Sequence, residues 1–338
     1  MLAQQTAHLL DVLRDPDADE RAIQGAADSW VTTLQNPDSI QAILDAQNQL
    51  VTVLDWDNLA RAQFALMMSG ALVENGFAPE PLLEAFAPRL PEWLNGANRL
   101  LDAVIHAEGD GQNAEAVVEQ ITAQMPAEAR DWERLQAFYL PLMAALAASP
   151  DARAQMRKLR ELAAPLCERH EGAFFLEAML GVLDKEPILV LEPARKRGFI
   201  GTFSGIADNA QLHALLMAHY PDAAKTFPKK ALPIFDGSGA QTSEINVESN
   251  WNLYSYRALD RDGNIKDDLA DSEHWLWNED APIDIPTFEN YRVIVLGPSS
   301  YTRGWQAQRL FAPLQASVDV DRELNADEVG EWVARLGS

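Results

Sequence analysis

The side chains best suited to chemistry gather in one short stretch. The basic triplet Arg195-Lys196-Arg197 runs into a segment that carries Gly201, Ser204, Gly205, Asp208 and Asn209. A strand that enters a glycine-bearing loop and then a helix brings free backbone amides and a positive dipole end together, an arrangement that attracts anions. Residues 186–230 hold six basic and four acidic side chains, the one stretch with a positive balance. The expectation is therefore a small anionic ligand held by Arg195, Lys196, Arg197, Gly201, Ser204, Gly205, Asp208 and Asn209. The glycine spacing matches neither the phosphate loop G-x-x-x-x-G-K-[ST] nor the dinucleotide pattern G-x-G-x-x-G. Asp208 also has a plainer role, as the cap of a helix running to Tyr220.

A second group follows the strand expected at 291–296. Gly297-Pro298-Ser299-Ser300 reads as a loop at its carboxyl end, the place where open α/β sheets hold ligands. Ser299, Ser300 and Arg303 join the candidate set on that ground, and the pocket would lie between 198–209 and 297–303. A serine nucleophile lacks support, because no G-x-S-x-G elbow surrounds either serine.

Metal chemistry finds no foothold in the spacing. His213 and His219 lie six apart, about 120° around a helix, rather than at the i, i+4 separation of a helical pair. His170 beside Glu168 and Glu171 has no further ligand at an established spacing. Asp260, Asp262, Asn264 and Asp271 imitate a calcium loop, yet Ile265 stands where such a loop needs glycine. Those residues read as a hairpin turn. No metal or cofactor is expected. Cys167 is the single cysteine, so no internal disulfide forms, and an inert thiol in a reducing compartment is the natural reading. A cytoplasmic location follows as the expectation.

Charge narrows the partners. Twenty-seven basic residues face 51 acidic ones, a net charge of −24. Phosphate neutralisation needs a concentrated basic face, so nucleic acid is not expected as a partner. Residues 1–185 hold 13 basic and 28 acidic side chains, and 231–338 hold 8 and 19, which suits a basic protein partner. The longest apolar stretches, 64–73 and 140–148, are about half of a membrane-spanning helix, and the first residues lack the basic side chains of a secretory leader. No membrane association is expected.

These groups must be positioned by two kinds of structure. In the first half, Ile40, Ile43, Leu44, Leu50, Val51 and Leu54 trace one helical face, as do Trp132, Leu135, Phe138, Tyr139, Leu142, Met143 and Leu146. Asp15-Pro16-Asp17, Asn36-Pro37-Asp38 and Ser149-Pro150-Asp151 read as helix starts. Helices are predicted near 2–14, 17–35, 38–54, 57–75, 80–106 with a break at Pro88 or Pro91, 113–124, 127–148, 151–165 and 168–184. A turn is expected at Gly109-Asp110-Gly111, and Trp30, Trp56, Trp93 and Trp132 are expected to fill the core. No fixed-period repeat is present.

Near Pro187 the pattern changes to short β-type runs. Strands are expected at 188–191, around 253–258, at 291–296 and at 316–320, with a helix at 302–311 and another capped by Asn325 and ending at Leu336. Trp275 and Trp277 share parity, which places both on the buried face of a strand. Strand–helix–strand order in the last segment predicts a parallel pair with a right-handed crossover. The fold class is α + α/β: residues 1–186 form an all-helical domain, an irregular bundle or solenoid, and 187–338 a mixed α/β domain with a small sheet.

The functional expectation is a cytoplasmic scaffold or adaptor with a protein partner. The alternatives are an enzyme or sensor taking an anionic ligand in the α/β half, and an acidic mimic that occupies a basic partner.

Overall fold

The computed structural model describes residues 1–35, 39–108, 114–220, 222, 224–241, 244–260, 262–266 and 274–337. The chain divides into two compact units, Met1–Leu180 and Gly181–Ser338. The first is helical and the second holds a seven-stranded mixed sheet, so the α + α/β layout is realised.

The helical unit contains α1 (Leu2–Arg14), α2 (Glu20–Leu34), α3 (Ile40–Leu50), α4 (Leu59–Glu74), α5 (Glu80–Phe86) and α6 (Leu90–Glu108). It continues with α7 (Ala114–Gln124), α8 (Pro126–Ala148), α9 (Pro150–Met156), α10 (Arg160–Ala163) and α11 (Glu171–Gly181). The long α8 is the axis of the unit, packing against α4, α5, α6, α7 and α9. Gly96 permits the close crossing of α6 and α8, since a Cβ there would lie 2.1 Å from Asp131 Oδ2. Phe86, Trp93 and Phe138 meet at ring separations of 6.0 to 6.5 Å and fill the space between α5, α6 and α8. Trp30, buried as expected, donates its Nε1–H to Thr6 Oγ1 at 2.9 Å.

Ser149 caps α9 through the Ala152 amide, as its Ser-Pro-Asp context predicts. Asp15-Pro16-Asp17 does not start a helix. Asp19 caps α2 instead, and Asp15 accepts from the Asp17 amide in the preceding turn. The helix start expected at Asn36-Pro37-Asp38 and the turn expected at Gly109-Asp110-Gly111 fall outside the described residues. The stretch expected as one helix over 151–165 is broken into α9, a tight turn at Arg157–Leu159, and α10.

In the second unit the chain builds β1 (Glu186–Glu192), β2 (Arg197–Ser204), α12 (Asn209–His219), β3 (Ala224–Thr226), α13 (Leu232–Phe235) and β4 (Asn246–Ser255). Then come β5 (Thr287–Phe288), β6 (Tyr291–Gln306), β7 (Ser317–Leu324) and α14 (Ala326–Leu336). The sheet order is β3-β4-β6-β1-β2-β7, with β5 added to the start of β6. Its faces are both covered. Ile188 and Val190 pack with α12 and α13, while Leu189 and Leu191 pack with Val329 and Leu336 of α14. Burial on both sides explains why β1 reads as an unbroken apolar run.

The last segment differs from its prediction. Gly297 to Ser300 is not a loop, and no helix occupies 302–311; β6 continues through to Gln306, paired with β4. The expected parallel partner of 291–296 is also different: β6 runs parallel to β1, and β7 lies antiparallel to β2 at the sheet edge. Pro298, which lacks an amide proton, is tolerated because the β4–β6 ladder is irregular there. Between Ser249↔Arg303 and Trp251↔Pro298, β4 advances two residues and β6 five. Trp275 is buried, but Trp277 is 40% exposed, so the pair does not share a buried strand face.

Candidate functional site

The basic triplet is split between two environments. After β1 the chain makes a tight turn at Pro193–Arg195, and Lys196 takes a left-handed conformation at φ 51°. Arg197 then points back over Glu192, which is 5% exposed. Arg197 Nε meets Glu192 Oε2, Arg195 Nε lies 3.3 Å from Oε1, and Trp251 donates its Nε1–H to Oε1 at 3.2 Å. Both arginines also reach Asp222. The Arg197 guanidinium stacks 4.2 Å over Tyr220, whose hydroxyl donates to Glu323. Arg195 and Arg197 are thus neutralised within the fold, while Lys196 faces elsewhere.

The glycine-bearing segment is likewise committed to structure. Gly205 sits at φ +69°, and a Cβ would lie 2.0 Å from the Gln315 carbonyl oxygen. At Gly201 a Cβ would lie 2.1 Å from the Asp319 oxygen, so both glycines admit a neighbouring backbone. Ser204 Oγ accepts from the Lys185 amide. Asp208 caps α12 through the Gln211 amide at 2.7 Å. The Asn209 and Ala210 amides bond to the carbonyls of Asp280 and Asn278, and the Leu212 amide to that of Asp208. An anion at this helix end would find every first-turn amide engaged. It would also meet the Asp208 carboxyl, which burial raises to about 6 against the pull of the Gln211 and Ala210 amides, with Glu279 adding to the rise.

Arg303 and Asn209 do converge, in a buried polar cluster that the spacing alone did not reveal. His213 of α12 is fully buried, with Nε2 2.8 Å from Ser249 Oγ of β4. Ser249 Oγ also accepts from the Trp251 amide, and Arg303 donates to Asn252 Oδ1. Asn209 Oδ1 and Trp305 Nε1 make no hydrogen bond to protein atoms, and the Asn278 side chain is the other polar neighbour of His213. Burial, seconded by the Arg303 charge and opposed by Asn278, pushes His213 down to about 3, so the ring is neutral at ordinary pH. The contact resembles a nucleophile–base pair in geometry. Ser249 is 1% exposed, however, so its hydroxyl is shut inside the core. The side chains of Ser299 and Ser300 lie outside what is described.

The helical unit offers an open apolar hollow of about 310 Å³ among α6, α7 and α8. Leu100, Leu101 and Val104 form one wall, Val118 and Thr122 another, and Trp132 the floor. His170 fixes that floor from behind. Its Nδ1 accepts from the Ala173 amide, so the proton sits on Nε2, which donates to the Trp132 carbonyl at 3.0 Å. Burial lowers the pKa of the ring, against the backbone hydrogen bonds and the nearby Glu171.

The Cys167 thiol lies against the Ala163 carbonyl, and burial pushes it up to about 11, with Glu177 adding to the shift and Arg160 opposing it. It should alkylate with iodoacetamide on the order of 100-fold more slowly than a cysteine peptide at pH 7, as read by mass spectrometry of the folded protein.

Among the described residues, no group of three or more His, Cys, Asp or Glu side chains is placed to hold a metal, and no helix is long and apolar enough to cross a membrane. The chain matches no family model, no curated protein and no solved structure.

Proposed function

We propose that the protein is a cytoplasmic adaptor whose helical unit receives a basic amphipathic helix of a partner protein in the groove among α6, α7 and α8. The observation that carries this reading is how lightly α7 is held. Among its described residues Val117 alone is buried, whereas Val118 stands 44% exposed beside the hollow and Ile105 of α6 is 49% exposed. A helix with so little buried surface is easily displaced or joined by another apolar face. The helix-in-groove mode of recognition uses such a site.

Charge favours a basic occupant. Residues 1–180 hold 12 basic and 27 acidic side chains. The hollow's own lining carries one charge of each sign, Glu133 and Arg169, so the preference rests on the acidic surface around it, with Glu115 one helical turn before Val118. A single cysteine, with no internal disulfide partner, accords with a reducing compartment.

A fluorescein-labelled 18-residue Leu/Lys amphipathic helix should bind the intact protein, and added salt should weaken it. Val118→Glu should reduce that affinity at least about tenfold, equivalent to about 1.4 kcal/mol. A Leu/Glu helix of equal length should not bind. Equal binding of both peptides, or indifference to Val118→Glu, would sink the proposal.

A further inference from the structure

We propose a second, separate binding site in the α/β unit: the hollow at the carboxyl end of β1 takes a small zwitterion, a free α-amino acid. The topology opens a crevice there. β1 and β6 run parallel as far as Leu191 and Val295 and then part, β1 turning back as β2 while β6 continues along β4. Parallel neighbours that diverge in opposite directions leave a ligand-sized gap beyond their carboxyl ends. The gap is about 460 Å³, within the range of small-molecule sites.

Its lining carries charges of both signs that have no ion-pair partner among the described residues. Lys196 lines the hollow and forms no ion pair among the described residues, in contrast to Arg195 and Arg197 on either side of it. Asp262 and Asp327 line it too, and neither carboxylate takes an ion-pair partner among the described residues. The three come from three different segments: the turn after β1, residues 262–265 and the first turn of α14. No two of them approach within salt-bridge distance. A ligand with one ammonium and one carboxylate satisfies that set, whereas a polyphosphate meets two carboxylates and a simple amine meets Lys196.

The walls are set in advance. Asp260 Oδ1 accepts from the amides of Asp262 and Asn264 at 2.9 and 2.7 Å, and Gly263, at φ +81°, lies against Val333. Ile265, Val329 and Val333 supply an apolar surface for the ligand's side chain. Preorganisation of this kind lowers the entropy lost on binding.

Calorimetric titration with L-leucine tests the proposal. 4-Methylpentanoate keeps its carbon skeleton without the amine, and 3-methylbutylamine lacks the carboxylate. Leucine should bind, and each truncated analogue should bind at least about tenfold more weakly, since the amine leaves Lys196 unanswered and the acid leaves Asp262 and Asp327 so. Lys196→Gln should weaken leucine without altering 3-methylbutylamine, and Asp327→Asn should weaken leucine without altering 4-methylpentanoate. Both positions are exposed, so an unchanged circular dichroism spectrum serves as the folding check. Absence of heat with leucine and every other proteinogenic amino acid up to about 10 mM overturns the proposal. So does binding that ignores both substitutions. Neither result bears on the groove of the helical unit, because the Leu/Lys peptide experiment reads that site alone.

Discussion

Acidification from pH 7 to pH 4 should destabilise α12 in an Asp208→Asn variant by on the order of 2 kcal/mol more than in the parent protein. A fully buried group and a partly buried one titrate in opposite senses there. His213 has a folded pKa of about 3, below the ordinary 6.5, so its contribution is complete above 6.5 and is lost as pH falls toward 3. At pH 4 that loss amounts to about 3 kcal/mol. Asp208 has a folded pKa of about 6, above the ordinary 3.8, so its carboxyl disfavours folding increasingly as pH rises through that window. Returning to pH 4 recovers about 2 kcal/mol. The histidine wins, and the parent loses only about 1 kcal/mol between the two pH values from this pair. Asparagine still caps the helix but removes the compensation. His213→Gln should reverse the sign, making α12 more secure at pH 4 than at pH 7. Hydrogen exchange of the 209–219 amides, corrected for intrinsic rates, measures each slope within one variant. Identical slopes in all three proteins would exclude the assignment.

The second large effect is expected at Glu192. Its carboxylate, 5% exposed, answers two guanidinium groups and the Trp251 indole. Glu192→Ala should remove about 3 kcal/mol of stability, the lower end for a broken buried pair because Arg195 keeps contact with water. Glu192→Gln should fall between, since an amide oxygen still accepts from Trp251. Lys196→Gln should stay within about 0.5 kcal/mol of the parent, as a surface change. Urea denaturation followed by exchange at the β1–β2 amides separates these cases. A larger loss at Lys196 than at Glu192 would mean that the triplet is organised differently.

Much of this architecture is readable from the residues. Helix ends marked by a capping side chain, such as Ser149, Asp208 and Asn325, sit where they are expected because the cap acts locally. The run 188–191 declares a strand buried on both faces. The segment after Leu296 misleads for a physical reason. Gly297-Pro298 is turn chemistry in most settings, yet here the β4–β6 irregularity absorbs it and the strand runs on. Tyr301, Thr302 and Trp305 carry the β preference that the turn signal masked.

The sites themselves were harder to see. Arg195 and Arg197 looked like anion ligands because Asp222, which neutralises them, is 25 residues further on than Arg197. The cluster around His213 draws on α12, β4, the 277–278 segment and β6, and no local spacing joins them. The hollow beside Lys196 was legible only in part. The expected pocket lay at the carboxyl end of the 291–296 strand, whereas the proposed hollow lies at the carboxyl end of β1.

The parallel pairing of β1 with β6 also governs how the α/β unit comes into being. Val190 aligns with Ile294, 104 residues away in the chain, so the middle of the sheet joins the earliest strand to one of the last. During synthesis the β1–β2 hairpin emerges long before its central neighbour, with an apolar strand temporarily lacking a partner. Closing so distant a contact is slow, whereas the helical unit assembles from near neighbours. The α/β unit is therefore expected to fold more slowly than the helical unit, with its central strand pair completed late.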